Sequence, residues 1–309
     1  MTSRLDTPAP IVLFVYCRPE HTRRTVQSLL RNPLSSLSDL IIYSDGPRQP
    51  ELQPRVEAVR QYCRTLQGFR SVILHEQPRN RGLASSIIGG VTETLQRYDQ
   101  IIVLEDDLEV APGFLQYMND GLQMYRLDQS VASIHGYCYP VPERLPETFF
   151  LRGADCWGWA TWGRAWQLFQ PDGRLLLQQL QKSAQTKVFD LDGTCNFTQM
   201  LIDQIAGHND SWAIRWHAAC FLADRLTLYP GKSLVTNTGV DGSGTHCGAD
   251  QWLANATGSL NPGVSVTRLE LHEDVMARAA ISRYLAKAGR QNASKSNVFL
   301  RLWNRIRRL

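Results

Sequence analysis

The stretch Ile101-Ile-Val-Leu-Glu-Asp-Asp-Leu-Glu-Val-Ala-Pro-Gly-Phe114 joins a short apolar run directly to three carboxylates. The run is too short for a helix of its own and rich in β-branched residues, which predicts a buried strand. The acidic triplet Glu105-Asp106-Asp107 crowds like charges, which raise one another's pKa unless a cation or strong donors compensate. Its hard oxygen atoms suit Mg2+ or Mn2+. The alternative is a solvated loop whose acids cap a helix that begins near Pro112.

Upstream of this stretch, short apolar runs alternate with helical patterns. Three further strands are predicted at Ile11–Tyr16, Leu40–Tyr43 and Ser71–Leu74, with helices at His21–Leu30, 51–66 and Leu83–Tyr98. Such alternation is typical of an α/β fold with a parallel sheet and helices on both faces. Polar groups follow three of the four strands, namely Arg18, Asp45 and the acidic triplet. Because ligands bind at the carboxyl ends of strands in open α/β sheets, we expect these groups to meet along one edge.

The segment Asn80-Arg81-Gly82 follows the third strand and leads into a helix. Its glycine permits close backbone approach, and the free N–H groups of a helix start attract anions, although an ordinary capped turn explains the pattern equally well. The chain contains neither GxGxxG nor GxxxxGK[ST]. A Rossmann dinucleotide site and a P-loop are therefore unsupported.

The second half of the chain differs in character. Helices are predicted at Phe114–Leu127, Asn196–Gly207 and Ala213–Leu222, with strands at Val131–Ile134 and Leu226–Tyr229. Between them, Trp157, Trp159, Trp162 and Trp166 fall within ten residues. Aromatic faces beside Asp155 suit a sugar ring, but tryptophans are also core residues, and we expect some of these four to be core. The Gly-rich loop 237–249 is either a mobile lid or a binding loop. Its His246 is a candidate metal or phosphate ligand, or simply solvated.

Composition and charge exclude several classes. The chain has 309 residues, 43% of them hydrophobic and 20% charged, as expected of a folded globular protein. Residues 281–309 carry eight Lys or Arg and no acid, so the other 280 residues have 25 basic and 29 acidic side chains. The body is therefore not predicted to bind nucleic acid. Seven scattered cysteines form no CxxC pair, which speaks against a zinc site or a disulfide framework.

No apolar run is long enough for a signal peptide or a membrane span, and we expect a cytoplasmic chain. In the tail, Val298, Leu302 and Ile306 repeat at every fourth position, between arginines. Segment 296–309 resembles an interfacial helix that lies on an anionic membrane, which would place the protein peripherally on the inner face of the cell membrane. A helix that docks on the body or on a partner subunit is the alternative.

Taken in order, these motifs resemble the GT-A glycosyltransferases, especially the N-acetylglucosaminyltransferase I type enzymes and, more loosely, family 2. The likeness covers roughly residues 10–250. It rests on the acidic segment and on five shorter segments: Cys17-Arg18-Pro19, Ser44-Asp45-Gly46, Phe150–Trp159, Asn209-Asp210-Ser211-Trp212 and Gly244-Thr-His246. The resemblance implies a mostly parallel GT-A (Rossmann-like) sheet with an acceptor-side subdomain and a basic amphipathic C-terminal helix.

The resemblance also implies roles for individual residues. Asp107 would ligate Mn2+ or Mg2+, with His246 as a weaker candidate. Arg18, Asp45, Arg81, Glu105 and Asp106 would bind the donor, and Asp155, Trp157, Gly158 and Trp159 the acceptor. Asp210 would be the general base, but it lacks the paired acid typical of the family, so Asp203, Asp192 and Asp190 stay open as alternatives.

The predicted function is an inverting, metal-dependent transfer of a sugar from a nucleotide-diphosphate donor, most simply a UDP-sugar, to a hydroxyl of a glycan or glycolipid. Residues 1–127 would form the donor half, 128–270 the acceptor and catalytic half of the same domain, and 271–309 a basic helical tail. Two alternatives are a sugar-phosphate nucleotidyltransferase and a non-catalytic, membrane-docked module that binds nucleotide sugars. The first usually has a Gly-rich basic loop after strand one, where this chain has Cys17-Arg18-Pro19-Glu20.

Overall fold

The computed structural model describes residues 7–239 and 263–287. Within these residues the strands are β1 (Ile11–Val15), β2 (Asp39–Ser44), β3 (Ser71–Glu76), β4 (Gln100–Glu105), β5 (Leu108–Val110), β6 (Val131–His135), β7 (Thr148–Arg152), β8 (Trp159–Trp162), β9 (Leu226–Pro230) and β10 (Val235–Asn237). The helices are α1 (Pro19–Leu30), α2 (Gln53–Arg64), α3 (Leu83–Leu95), α4 (Phe114–Met124), α5 (Gly163–Trp166), α6 (Gly173–Lys182), α7 (Thr186–Phe189), α8 (Phe197–Ile205), α9 (Trp212–Leu222) and α10 (275–287). Short 3-10 turns lie at Pro33–Leu37, Pro50–Leu52 and Leu191–Gly193.

The first half is the predicted β-α-β alternation. Strands β1, β2, β3 and β4 are all parallel, and β1 lies between β2 and β4. The central residues of β1, β2 and β4 are apolar and buried, as expected for strands covered by helices on both faces, whereas β3 at the edge of the sheet is only partly covered. Helix α1 begins two residues earlier than predicted, at Pro19, because proline is favoured in the first turn of a helix.

One large sheet contains strands from both halves of the chain. Its eight strands run in the order β3-β2-β1-β4-β8-β6-β9-β7. Strand β8 is antiparallel to both β4 and β6, β9 is parallel to β6, and β7 closes the edge in the antiparallel direction. The predicted mostly parallel sheet is thus confirmed. The division predicted near residue 127 falls between strands of this single sheet.

The Trp-rich segment forms two strands that the sequence pattern did not reveal. Strands β7 and β8 are buried on both faces, so their residues do not alternate between apolar and polar. Trp159 of β8 stacks on Trp212 of α9 at 5.5 Å between ring centroids and also contacts Trp166 and Trp216. These contacts hold α9 against the centre of the sheet, next to β4.

A separate apolar cluster attaches α10 to the other end of the sheet. Ala277, Ile281 and Leu285 pack with Phe149 of β7 and Tyr229 of β9. The described part of the predicted 271–309 tail is therefore a helix docked on the body, while segment 296–309 lies outside the described residues. No helix within 7–239 and 263–287 combines the length and hydrophobicity needed to cross a membrane.

Candidate functional site

The carboxyl ends of β1, β2 and β4 meet at one edge of the sheet, as expected. In the β1 ladders, Phe14 pairs with Glu105 and Val15 with Ser44. The residues that follow these strands, Arg18, Asp45 and the rest of the acidic triplet, are therefore neighbours. This edge is the candidate functional site.

Arg18 is the direct partner of the acidic triplet. Its Nη2 donates to Asp107 Oδ2 at 2.9 Å and also to Asp106 Oδ1. The backbone of the triplet is tied to α1, because the Thr25 hydroxyl donates to the Asp106 carbonyl at 2.8 Å. The acids are thus a buried, ordered group, which excludes the solvated-loop alternative.

The site holds more negative than positive charge. Burial and the neighbouring Asp107 and Asp106 raise the pKa of Glu105 to about 8, against the opposing effect of Arg18. Burial also raises the pKa of Asp106. Burial lowers the pKa of Arg18, but both aspartates outweigh it and raise that pKa above its ordinary value. One guanidinium therefore leaves three carboxylates incompletely balanced.

Two buried polar atoms of opposite charge at this edge have no hydrogen-bond partner among the residues that the structure describes. They are Nη1 of Arg18 and Oδ2 of Asp106. Buried polar atoms are nearly always paired, and each exception calls for an explanation. An anion opposite Arg18 and a cation opposite Asp106 would satisfy both.

Asp45 organises the loop between β3 and α3. Its carboxylate accepts from the backbone N–H groups of Arg81 at 2.8 Å and Gly82 at 3.0 Å, and from Asn80 Nδ2 at 3.0 Å. Gly82 has a φ of 80°, a conformation that favours glycine. Asp45 and Arg81 thus lie together, and they line a cavity of about 150 Å3 with Tyr43, Gln77, Ser86, Gly89, Gly90 and Glu93.

The small sheet of β5 and β10 covers the triplet. Antiparallel pairing of Leu108 with Asn237 brings the start of the 237–249 loop over Asp107. The backbone N–H of Thr238 donates to the Asp107 carbonyl at 2.8 Å. A Cβ on Gly239 would overlap Asp107 Oδ2, so this position accepts no side chain without a shift. His246 lies outside the described residues.

The predicted acceptor residues divide into an accessible and a buried part. Asp155 and Trp157 are half-buried, whereas Trp159 is 1% exposed. Trp159 is therefore a core residue, which corrects its expected place among ligand contacts. Gly158 has a φ of 65°, and a Cβ there would press on Val235. Gly158 allows the change in backbone direction just before β8.

A buried histidine fixes the segment that carries Trp157. His135 Nε2 accepts from the Trp157 backbone N–H at 3.1 Å, and burial lowers the pKa of His135. The Trp157 ring contacts Tyr137 edge-on at 4.8 Å, and Tyr137 contacts Tyr139 at 5.3 Å. The hydroxyl of Tyr137 is buried, with no hydrogen-bond partner among the described residues. The result is a partly accessible aromatic surface beside Asp155.

Asp210 stands just before α9. Its side chain is 64% exposed and lies 3.5 Å from Arg215 Nη2. The next residue, Ser211, caps the helix by accepting from the Ile214 N–H. Since Trp212 stacks on Trp159, this helix start is held beside the strand next to β4.

The alternative bases serve local structure. Asp190 accepts from the Thr198 N–H at 2.7 Å, at the start of α8. Asp192 pairs with Arg278 of α10. Asp203 accepts from Gln199 one helical turn away. Asp210 differs from them in that its one such contact within the described residues is the 3.5 Å ion pair with Arg215 and its side chain is 64% exposed.

The donor set at the sheet edge fits a divalent cation held jointly with a phosphate. Among residues 7–239 and 263–287, no three His, Cys, Asp or Glu side chains are grouped as a complete metal cage. Mg2+ is commonly bound by only one or two carboxylates together with substrate phosphates. The unpartnered oxygen of Asp106 and the more exposed Asp107, with 12% of its side chain accessible, match that pattern.

Three supporting residues were not predicted as part of the site. Arg60 of α2 donates to the carbonyls of Asp45 and Gln77, and it is 7% exposed. Arg60 could have been found from the sequence, because it is an arginine on the apolar face of the helix predicted over 51–66. Gly239 lies in the predicted Gly-rich loop 237–249, but its contact with Asp107 is made more than eighty residues away and was not visible in the sequence. Thr25 gave no signal, because it matters only through a contact with Asp106, also more than eighty residues away.

The family profile of glycosyl transferase family 2 matches residues 11–200. The chain therefore belongs to this family, and its fold is of the GT-A type. A search of curated proteins gives no match.

Similar solved structures include a mannosyltransferase from Pyrobaculum calidifontis in complex with GDP-Man and Mn2+, at 14% identity and a TM-score of 0.30, over 42% of this chain and 37% of that one. Mouse xyloside xylosyltransferase 1 is similar at 14% identity and a TM-score of 0.36, over 56% and 75%. A UDP-glucose pyrophosphorylase with UDP-glucose is similar at 10% identity and 0.38, over 80% and 97%. The chain thus spans about a third of the length of the first of these.

Proposed function

We propose that the protein is an inverting, metal-dependent hexosyltransferase. It would move a sugar from a nucleotide-diphosphate donor, most simply a UDP-sugar, to a hydroxyl of a glycan or glycolipid. The observation that carries the proposal is the pair of unpartnered, oppositely charged atoms on Arg18 and Asp106 at the carboxyl ends of parallel strands. A diphosphate with its divalent cation presents the complementary charges to both.

The donor half would hold the nucleotide sugar. Asp45 and Arg81 are assigned to the base and nucleoside side, where they lie together beside the cavity. Glu105 is assigned to hydroxyls of the ribose and the sugar. Asp106, which the resemblance places with it, is assigned to the metal instead because its Oδ2 is unpartnered. Arg18 is assigned to the diphosphate, because a guanidinium forms strong paired hydrogen bonds with phosphate oxygens.

Asp107, with Asp106 beside it, would hold Mn2+ or Mg2+. When bound, such an ion neutralises the charge that develops on the leaving diphosphate. The carbonyl of Asp107 is held by Thr238, so the side chain starts from a fixed backbone. His246 is kept as a further candidate ligand, on its sequence position alone.

The acceptor would lie against Trp157 and Asp155. A sugar ring packs its C–H face on an aromatic ring, while a carboxylate accepts from its hydroxyls. Asp210 would accept the proton of the attacking hydroxyl, which displaces the diphosphate at the anomeric carbon in a single step. One displacement inverts the configuration at that carbon, and it needs only one base.

The first test is a titration of UDP by calorimetry, with and without Mn2+. We expect binding that depends on the metal in the wild-type protein and its loss in Asp107→Asn. The charge-matched control is Asp120→Asn, since Asp120 bonds only to Gln116 one turn away on α4. Equal binding of UDP with and without Mn2+ would contradict the metal assignment.

The second test addresses the base. Asp210→Asn should keep metal-dependent UDP binding and lower turnover by at least a hundredfold, within the usual range for general-base removal. Asp203→Asn, an equal change on the preceding helix, should leave turnover near the wild-type rate. Retained turnover in Asp210→Asn would remove Asp210 from the mechanism.

We also propose that segment 296–309 attaches the protein to an anionic membrane, at the inner face of the cell membrane. The support is its sequence, with four arginines among seven apolar residues at helical spacing. Deleting 296–309 should abolish cosedimentation with phosphatidylglycerol vesicles while activity on a soluble acceptor is kept. Unchanged cosedimentation would rule this segment out as the anchor.

A further inference from the structure

Arg18 has a fixed backbone and a side chain engaged with the acids. Its carbonyl accepts from both the N–H and the hydroxyl of Thr22, at 3.0 and 2.9 Å, in the first turn of α1. Its side chain is 16% exposed and contacts Asp106 and Asp107 through Nη2 alone. The other terminal nitrogen, Nη1, is buried and has no partner within residues 7–239 and 263–287. Only part of the donor capacity of Arg18 is therefore used.

The carboxylates, like Arg18, are only partly paired. Asp106 accepts from Arg18 through Oδ1, while its Oδ2 is buried and finds no hydrogen-bond donor in the part of the chain that the structure describes. Arg18 thus occupies the oxygen atoms that a metal ion would approach, yet it does not satisfy the whole group. A cation already bound to these oxygens opposes the entry of a second cation.

We propose that Arg18 is a placeholder cation that Mn2+ or Mg2+ displaces from Asp106 and Asp107, after which its guanidinium pairs with the donor's diphosphate. This inference rests on the proposed function for the identity of the anion. Metal and nucleotide then bind cooperatively, since the metal frees Arg18 and the diphosphate accepts it. By linkage, each ligand raises the affinity of the other by the same factor.

The surroundings leave room for this exchange. The backbone of Gly239 lies over Asp107 Oδ2 and near Arg18 Nη1, and it adds no side chain between them. The carbonyls of Asp106 and Asp107 are held by Thr25 and Thr238. The acids therefore keep their place while the guanidinium moves.

The test measures Mn2+ affinity without nucleotide, from the electron paramagnetic resonance signal of free Mn2+ at pH 8. Removing the guanidinium in Arg18→Gln should tighten Mn2+ binding at least tenfold, the opposite of the usual effect of mutating a binding site. The same variant should bind UDP more weakly. The factor by which UDP raises the Mn2+ affinity should fall towards one. Arg23→Gln, the same change on an exposed arginine of α1, is the matched control and should leave both affinities unchanged.

Two further variants separate charge from shape. Arg18→Met removes the charge but keeps the aliphatic stem, and it should also tighten Mn2+ binding. If Arg18→Gln does not fold, Arg18→Met takes its place as the test of the exchange. Arg18→Lys keeps the charge and should stay near the wild-type Mn2+ affinity. Unchanged or weaker Mn2+ binding in the uncharged variants, or equal tightening in Arg18→Lys, would overturn the exchange.

Failure of the proposed function gives a different result. In that case wild-type protein would show no Mn2+-dependent binding of UDP or GDP, whatever the Arg18 variants do with Mn2+ alone. The exchange at the carboxylates is read from Mn2+ alone and needs no nucleotide.

Discussion

At the scale of single residues, the three acids of the triplet have different surroundings. Glu105 ends β4 and carries the raised pKa, and Asp106 is almost fully enclosed. Asp107 is the most accessible of the two aspartates and lies directly under Gly239. The sequence motif identified the group, but the different surroundings arise from α1 and β10, which no local pattern could show.

Gly239 gives a prediction about access to Asp107. In Gly239→Ala the new methyl group meets Asp107 Oδ2, so the carboxylate must shift. We expect the affinity for UDP with Mn2+ to fall roughly tenfold, about 1.4 kcal/mol, with little change in melting temperature. The affinity is measured by calorimetry. Gly263→Ala is the control, since a Cβ there meets nothing within 4 Å; an equal loss in the control would contradict the contact argument.

Two buried histidines predict how stability depends on pH. Burial lowers the pKa of His135 and of His217, against an opposing effect of Asp155, whereas an unfolded histidine titrates near about 6.5. The unfolded state therefore binds more protons below that pH. This contribution to stability is complete above about pH 6.5 and is lost as the pH falls, by about 1.4 kcal/mol per unit of pKa difference.

The measurement is thermal unfolding between pH 5 and 7. The variants are His135→Gln and His217→Asn. Each keeps a polar atom near the nitrogen that the histidine uses, which is Nε2 of His135 towards Trp157 and Nδ1 of His217 towards Ala154. The double variant should lose less stability than the wild-type protein as the pH drops. The raised pKa values of Glu105 and Asp106 have the opposite pH dependence, but they are present in both proteins and cancel in the comparison. Equal slopes would exclude the histidines as the cause.

At the scale of elements, the parallel half was predictable and the antiparallel half was not. Each of β1 to β4 follows or precedes an amphipathic helix, so the alternation is visible in the chain itself. Strands β5 and β10 are three residues each and pair across more than a hundred positions. Strands β7 and β8 are almost entirely buried, so they lack the alternation that marks a strand. The sequence predicts that some of the four tryptophans are core, but it does not show which, because their partners lie on α9.

The start of α9 gives a prediction that distinguishes position from stability. Ser211→Ala removes the cap next to Asp210 and should cost about 1 kcal/mol. Because the freed helix start carries the proposed base, turnover should fall severalfold while UDP binding stays unchanged. Asp172→Ala removes the equivalent cap of α6 and is the matched control. Equal turnover in the two variants at equal stability would show that the α9 start is not positioned for catalysis.

At the scale of the whole molecule, β4 and β8 join the two halves within one sheet. All eight tryptophans lie between residues 157 and 303, so their fluorescence reports on the second half, whereas circular dichroism reports on the whole chain. We expect the two signals to show one common urea transition. UDP with Mn2+ should move the fluorescence midpoint upwards, although the proposed donor site lies in the first half. Separate transitions would mean that the halves unfold independently.

The place of β8 also affects how the chain is made on the ribosome. Strand β4 ends at Glu105, but its outer neighbour β8 ends at Trp162. At roughly 5–20 residues per second, that edge of the nascent sheet waits several seconds for its partner. An open strand edge invites pairing with other chains. Charged side chains on a strand edge disfavour such pairing, and β4 ends at the acidic triplet that is also proposed for the chemistry.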